Sequence, residues 1–318
     1  MKSIIYGFGI IITIMSIFGI AAFIMYFTNK NNQRCANYEQ YDDNLPIVSK
    51  NLTINPIPYQ IFVIWFGAEM NKTRKKCLES IGKLGVPLIL ITQDNLHEWV
   101  VKDDPLHPAF YYLSGIHRAD YLRCYLLHHY GGGYTDVKYY DDGASWVKSF
   151  DKINQDPNIW LLGSQEKEQK EIACPDDYFH RKKSDRQWNC KIVKENYKNL
   201  VSMGNFICRA KTLFTYDWRQ RLHHNLSNKL LELIKHPPPA ERCCQGKENG
   251  YPFRWAESLA EITHPLQYIY NEHVKNGLPS FNWGVEYGEE EENKPKNNPF
   301  SVLELSKLHY IFGTRGRN

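Results

Sequence analysis

An excess of charge of one sign is missing: the net charge is only +4 across 318 residues. That is too little for a nucleic-acid-binding surface, so no nucleic acid is expected as a partner. The eight cysteines include no Cys-x-x-Cys pair, which argues against a zinc ribbon. No Gly-x-Ser-x-Gly elbow occurs, so a membrane-tethered α/β-hydrolase carries little weight. The carboxylate run Glu289 to Glu292 lacks regular loop-ligand spacing and reads as a solvated loop. Charge is absent altogether from Ile4 to Phe27, and nearly every residue there is apolar.

That run has the length of a membrane anchor. At roughly 1.5 Å per residue a helix of this extent crosses a hydrocarbon core of about 30 Å. It exceeds the apolar stretch of a secretory signal and has no small-residue cleavage site, so an uncleaved single-pass anchor is expected. Lys2 before the span and Lys30 and Arg34 after it leave orientation undecided by charge. Residues 1–30 are assigned to a cytosolic stub and anchor, 31–55 to a polar stem, and 56–318 to one further domain. Aromatic content of 14% and charged content of 23% mark that remainder as globular. Asn51, Asn71 and Asn225 open glycosylation triplets that matter only in a lumen. Cys124 and Cys208 lie in apolar segments and read as core residues, whereas Cys174 and Cys190 flank a polar insertion and are the expected bridged pair.

The domain alternates strand and helix signals. Ile57 to Gly67 holds a buried strand, Lys72 to Leu84 a helix, and Val86 to Thr92 a second strand. Further strands are expected near Ile159 to Ser164 and Leu200 to Ala210, and an amphipathic helix over Asp217 to Lys235. Trp255 to Ala260 opens another helix-like segment. The fold class is therefore α/β, with a mostly parallel sheet, flanking helices and right-handed crossovers. Ligands of such sheets bind beyond the carboxyl ends of the strands, and Trp65 and Asp136 both follow strand runs.

The stretch from Ser114 to Lys138 concentrates the chemistry. Ile116, Ala119, Leu122, Leu126 and Leu127 recur at helical spacing, and Gly131-Gly132-Gly133 stops the helix. Tyr134, Val137 and Tyr139 suit a strand. Asp120 and Arg123 lie three apart and share a helix face. With Asp136 beyond the turn they could grip a charged, hydroxyl-rich ligand such as a nucleotide sugar. If the strand runs on past Asp136, that residue and Lys138 share one face of the pleat. There they reach one ligand or pair with each other.

Ala119-Asp120-Tyr121-Leu122-Arg123 and Tyr130-Gly131-Gly132-Gly133-Tyr134-Thr135-Asp136 resemble the signature of the family 32 glycosyltransferases, the sugar-binding-region proteins with a DXD motif. Ile57, Pro58, Ile61, Ile64 and Trp65 match that family's first strand. The resemblance covers roughly Ile57 to Ala210. It implies a GT-A-like, Rossmann-related fold in a type II membrane protein whose catalytic domain is lumenal, as in the Golgi or endoplasmic reticulum. It also implies transfer of a sugar from a nucleotide-sugar donor to a glycan, lipid or protein acceptor, with retention at the anomeric carbon. Trp65 would stack on the nucleotide base or be a core tryptophan. Asp120, Arg123, Gly132, Asn205 and Arg315 would sit on the donor side.

Lys138 replaces the second aspartate of the motif. Charge builds on the leaving diphosphate and needs a metal or cationic side chains. Asp136, with Asp141 or Asp142 and the late His309, would hold Mn²⁺ or Mg²⁺. In a second arrangement Lys138 itself offsets that charge. In a third the chain is a catalytically inactive relative that binds a glycan or nucleotide.

Overall fold

The computed structural model describes residues 55–66, 69–174, 190–238 and 250–282. The expected anchor, the stem up to residue 54, His309 and Arg315 lie outside these residues. Among the described residues no helix is long and apolar enough to cross a membrane.

Strand β1, Ile61–Ile64, is buried on both faces, as its unbroken apolar run predicts. Helix α1, Lys72–Gly82, starts where the Asn71 side chain accepts from the Arg74 amide. Strand β2, Leu88–Ile91, returns parallel to β1. Helix α2, Gly115–His129, leads into β3, Gly132–Thr135, which pairs parallel with β1 on its other side. Helix α3 (Val147–Gln155), strand β4 (Leu161–Gln165) and the short helix α4 (Cys190–Glu195) follow. Strand β5 (Val201–Cys208), helix α5 (Leu213–Lys235), helix α6 (Ala260–Ile269) and strand β6 (Val274–Asn276) complete the described elements.

The sheet order is β2-β1-β3-β5-β4-β6. Only β5 is reversed: it runs antiparallel to β3 and β4, while β4 and β6 pair parallel. The mostly parallel sheet is thus as expected, and its carboxyl edge also holds the amino end of β5. Helix α5 begins four residues earlier than the amphipathic pattern indicates, because Thr212 caps it by accepting from the Thr215 amide. Residues 255–259 form a turn, and the helix expected there begins at Ala260. The predicted bridge between Cys174 and Cys190 is present, and Cys124 and Cys208 are buried and unbridged.

Two apolar cores cover the two faces of the sheet, and the period of two in β1 divides its side chains between them. Phe62 and Ile64 join Leu122, Trp218, Leu222 and Leu266 beneath α2, α5 and α6. Ile61 and Val63 join Cys77, Ile81, Phe150 and Ile153 beneath α1 and α3.

The first of these layers encloses histidines. His107 Nε2 lies 3.0 Å from Ser227 Oγ, and His128 Nδ1 lies 3.2 Å from Thr215 Oγ1. Burial, with the Arg219 cation nearby, lowers the His107 pKa to about 4. Burial, then Arg219 and His129, lowers that of His128 to about 3, against the pull of Asp104. Both depart from an unfolded value of about 6.5, so below that pH the unfolded chain binds more protons. Stability is therefore full above pH of about 6.5 and falls as the pH drops toward the folded-state values. Each histidine contributes at most about 1.4 kcal/mol per pH unit. Urea titrations between neutrality and mild acid should show this slope, and His128→Asn should make it shallower. An equally steep loss in His128→Asn would refute the assignment.

Candidate functional site

Helix α2 points its amino end at the carboxyl edge of the sheet. Ser114 caps it there, with its Oγ accepting from the His117 amide at 3.4 Å. The chain descends through α2, turns, and climbs back along β3. Asp136 leaves β3 at the carboxyl edge, where its amide donates to the Gly204 carbonyl at 2.8 Å. Trp65 leaves β1 at the same edge, with its amide donating to Ile91 O at 2.9 Å. Both positions therefore leave parallel strands at one edge of the sheet. The Trp65 indole is half-buried against the core that Val63 joins.

Asp136, Arg123 and Asp120 form one chain of contacts. Asp136 Oδ1 accepts from the Tyr134 hydroxyl at 2.9 Å and from Arg123 Nη2 at 3.2 Å. Arg123 Nη2 also donates to the Tyr134 hydroxyl at 2.8 Å and lies 3.4 Å from Asp120 Oδ1. Its Nη1 donates to the Met203 carbonyl, and its guanidinium carbon sits 4.0 Å from the Tyr134 ring centroid. Asp120 Oδ2 accepts from Ser258 Oγ at 2.7 Å. Burial opposes the Arg123 charge, but Tyr134, Asp136 and Asp120 outweigh it and hold its pKa above the ordinary value. Burial pushes the Asp120 carboxyl upward despite Arg123. The Arg123 and Asp120 side chains are 7% and 6% exposed and Asp136 is 32% exposed, so the reaching group is Asp136. The helix pair expected to grip ligand is itself buried, and Arg123 reaches Asp136 from that buried side.

Lys138 departs from the expected pleat. Its amide donates back to the Asp136 carbonyl at 2.7 Å, a tight turn around the buried Val137. β3 ends at Thr135, so strand alternation does not set the relation of residues 136 and 138. The Lys138 ammonium lies 4.3 Å from the Phe281 ring centroid. Burial lowers its pKa, Asp136 opposes that, and Arg74 and Arg123 add to it. Arg74 on α1 donates through Nη1 to the Val137 carbonyl at 2.5 Å. Two further cations therefore flank the one partly exposed carboxylate. Gly204 makes room for this packing: a Cβ there would lie 3.2 Å from the Phe281 ring and 3.3 Å from Asp136 Oδ2.

The other described site candidates make contacts of their own. Gly132 opens β3, at the end remote from Asp136; its φ of +111° and a would-be Cβ 2.9 Å from Gln60 Cγ explain the glycine. Asn205 is fully buried, with its amide donating to the Pro279 carbonyl at 2.9 Å and accepting from Ser164 Oγ. Asp141 is exposed and accepts from Asn282 Nδ2 at 2.8 Å; Asp142 is exposed and 3.8 Å from Lys83 Nζ. Among the described residues no three His, Cys, Asp or Glu side chains group so as to hold a metal. Sequence reasoning missed Arg74, Tyr134, Ser258 and Phe281. Only Tyr134 carried a signal, two residues before Asp136 in the motif.

Fold and site together define a mixed α/β protein with a charged site at the carboxyl edge of its sheet, where doubly wound sheets bind ligands. Residues 25–209 match the capsular polysaccharide synthesis protein family, and the chain belongs to it. This family is related to glycosyltransferases; the match is to it and not to family 32. The matched span contains β1 to β5 and hence Asp120, Arg123, Asp136 and Lys138. No curated protein and no solved structure matches the chain.

Proposed function

We propose that this chain is a glycosyltransferase of polysaccharide synthesis. It takes a sugar from a nucleotide-sugar donor and passes it, with retention, to a hydroxyl of a glycan, lipid or protein acceptor. Residues 4–27 tether it to a bilayer, with the catalytic domain on the lumenal side. The observation that supports the reading best is Asp136, held at the carboxyl edge by Arg123 and Tyr134 beside Lys138 and Arg74.

The bond between the anomeric carbon and the diphosphate oxygen breaks, and its electron pair stays on the diphosphate. Lys138 and Arg74 offset that charge, and Trp65 offers its indole face to the base. The acceptor oxygen forms the new bond to the anomeric carbon, and its proton passes to the departing phosphate. Mn²⁺ or Mg²⁺ is the competing source of positive charge, with Asp136, Asp141, Asp142 and His309 as its proposed ligands. The described residues alone do not make a cradle for it, so no step is routed through it. A bound divalent ion would act as a Lewis acid on the diphosphate.

Nucleotide release from a panel of sugar nucleotides by the full chain tests the reading. Lys138→Ala should lower turnover by about 10- to 100-fold, while Lys138→Arg retains most of it. Because burial lowers the Lys138 pKa, activity should fade at a lower alkaline pH than an ordinary lysine dictates, and Lys138→Arg should raise that limit. Release that EDTA abolishes and Mn²⁺ restores would move the role to a metal. Donor binding with no release from any member of the panel would favour an inactive binding protein instead.

A further inference from the structure

The segment 251–258 is fastened to the site helix at four points. The Tyr251 hydroxyl accepts from the Ser114 amide at 3.1 Å and lies 2.7 Å from His117 Nδ1. His117 Nε2 lies 3.1 Å from the Arg254 carbonyl, and Ser258 Oγ donates to Asp120 Oδ2 at 2.7 Å. All four contacts fall on the first half of α2, the end that opens onto the carboxyl edge. Burial lowers the His117 pKa, against the pull of Asp120. The position of the segment relative to Asp136 is therefore set by buried hydrogen bonds through Asp120 and Arg123.

Between those fastenings stands Trp255, which is 57% exposed. By contrast Trp146 and Trp218 are fully buried. Burying an indole is among the larger single gains available to a fold, at roughly 25 cal/mol per Å² of apolar surface. Leaving it in solvent on a rigid turn forgoes that gain. Its neighbours in sequence are charged and paired with one another. Arg254 Nη2 pairs with Glu261 Oε2 at 2.7 Å, Arg254 Nε lies 3.8 Å from Glu257 Oε2, and Lys229 pairs with Glu257. Arg254 is itself more than half exposed. An exposed indole, with charged groups on the same short segment, suits the two surfaces of a pyranose ring: an apolar face of C–H groups and an equator of hydroxyls.

We propose that Trp255 is the stacking platform for a sugar ring of the acceptor, with Arg254, Glu257 and Glu261 meeting its hydroxyls. The proposal rests on the transferase reading, since it names the acceptor side of the same edge. It places acceptor recognition on residues 254–261, beyond the span matched by the family. The buried link from Ser258 through Asp120 and Arg123 sets the distance from the platform to Asp136.

The full chain carrying 5-fluorotryptophan supplies the test. The Trp255 fluorine resonance is identified by its loss in Trp255→Phe. Methyl glycosides of glucose, galactose, mannose and N-acetylglucosamine are titrated in turn. At least one should shift the Trp255 resonance saturably while those of Trp146 and Trp218 stay fixed. No shift up to the solubility limit of all four overturns the proposal. So does a resonance that responds only to phosphatidylcholine vesicles, which would mark a membrane contact. In turnover, Trp255→Ala should raise the acceptor KM by roughly tenfold. An unchanged acceptor KM overturns it as well. Wild-type protein that releases no nucleotide would instead defeat the transferase reading, and the fluorine titration would still decide the platform.

Discussion

Asp136→Asn is expected to abolish transfer while the protein stays folded. The substitution removes charge and keeps shape. The amide oxygen can still accept from the Tyr134 hydroxyl and from Arg123 Nη2, which hold Oδ1 at 2.9 and 3.2 Å. Arg123 keeps Asp120 as a counterion at 3.4 Å. Asp136 is also partly solvated, so its contribution to stability is modest, about 1 kcal/mol. In a domain of this size that moves the melting temperature by only about 2–4 °C. The expected loss of turnover is about 10²–10³-fold, the scale for removing one preorganised electrostatic group from a reacting centre. Asp141→Asn and Asp142→Asn separate the two sources of positive charge: both are exposed and outside the Arg123 network, so a loss of turnover in either favours the metal arrangement. Near wild-type turnover in Asp136→Asn, with an intact melting transition, would remove Asp136 from the chemistry.

The helix, turn and strand around Asp136 were legible because each carries a local signal. Ser114 is a good cap, the apolar residues of α2 recur at helical spacing, and β-formers follow the glycines. The shared face of Asp120 and Arg123 was legible for the same reason. Their burial was not, because it depends on Met203 and Ser258, which approach from distant parts of the chain. The reversal of β5 left no trace in its own residues, since direction in a sheet is fixed by connections and neighbours. Lys138 shows the limit of extrapolating a strand: one backbone hydrogen bond to Asp136 O ends the pleat and re-aims the side chain. Gly132 was taken for a binding residue because it sits in the motif. Its left-handed angle and its packing on Gln60 are what require it.

Arg123→Met should be among the most destabilising single changes in the described part of the chain. Arg123 is the one cation in contact with both Asp120 and Asp136, and it also donates to the Met203 carbonyl and the Tyr134 hydroxyl. Methionine fills comparable volume, so the loss is electrostatic and hydrogen-bonded rather than a cavity. It strands the buried Asp120 carboxylate with only Ser258 Oγ for support. Breaking a buried ion pair from one side costs about 3–5 kcal/mol. At about 2–4 °C per kcal/mol, the melting temperature should fall by roughly 6–20 °C. Lysine at 123 should rescue little, since one ammonium cannot serve four partners that a planar fork reaches together. Asp120→Asn in the Arg123→Met background should recover part of the loss, because the unpaired charge disappears with it. Thermal unfolding of the three variants against wild type reads all of this. An Arg123→Met protein that melts with the wild type would show that Asp120 and Asp136 do not depend on this cation, and the positioning role assigned to it would fall.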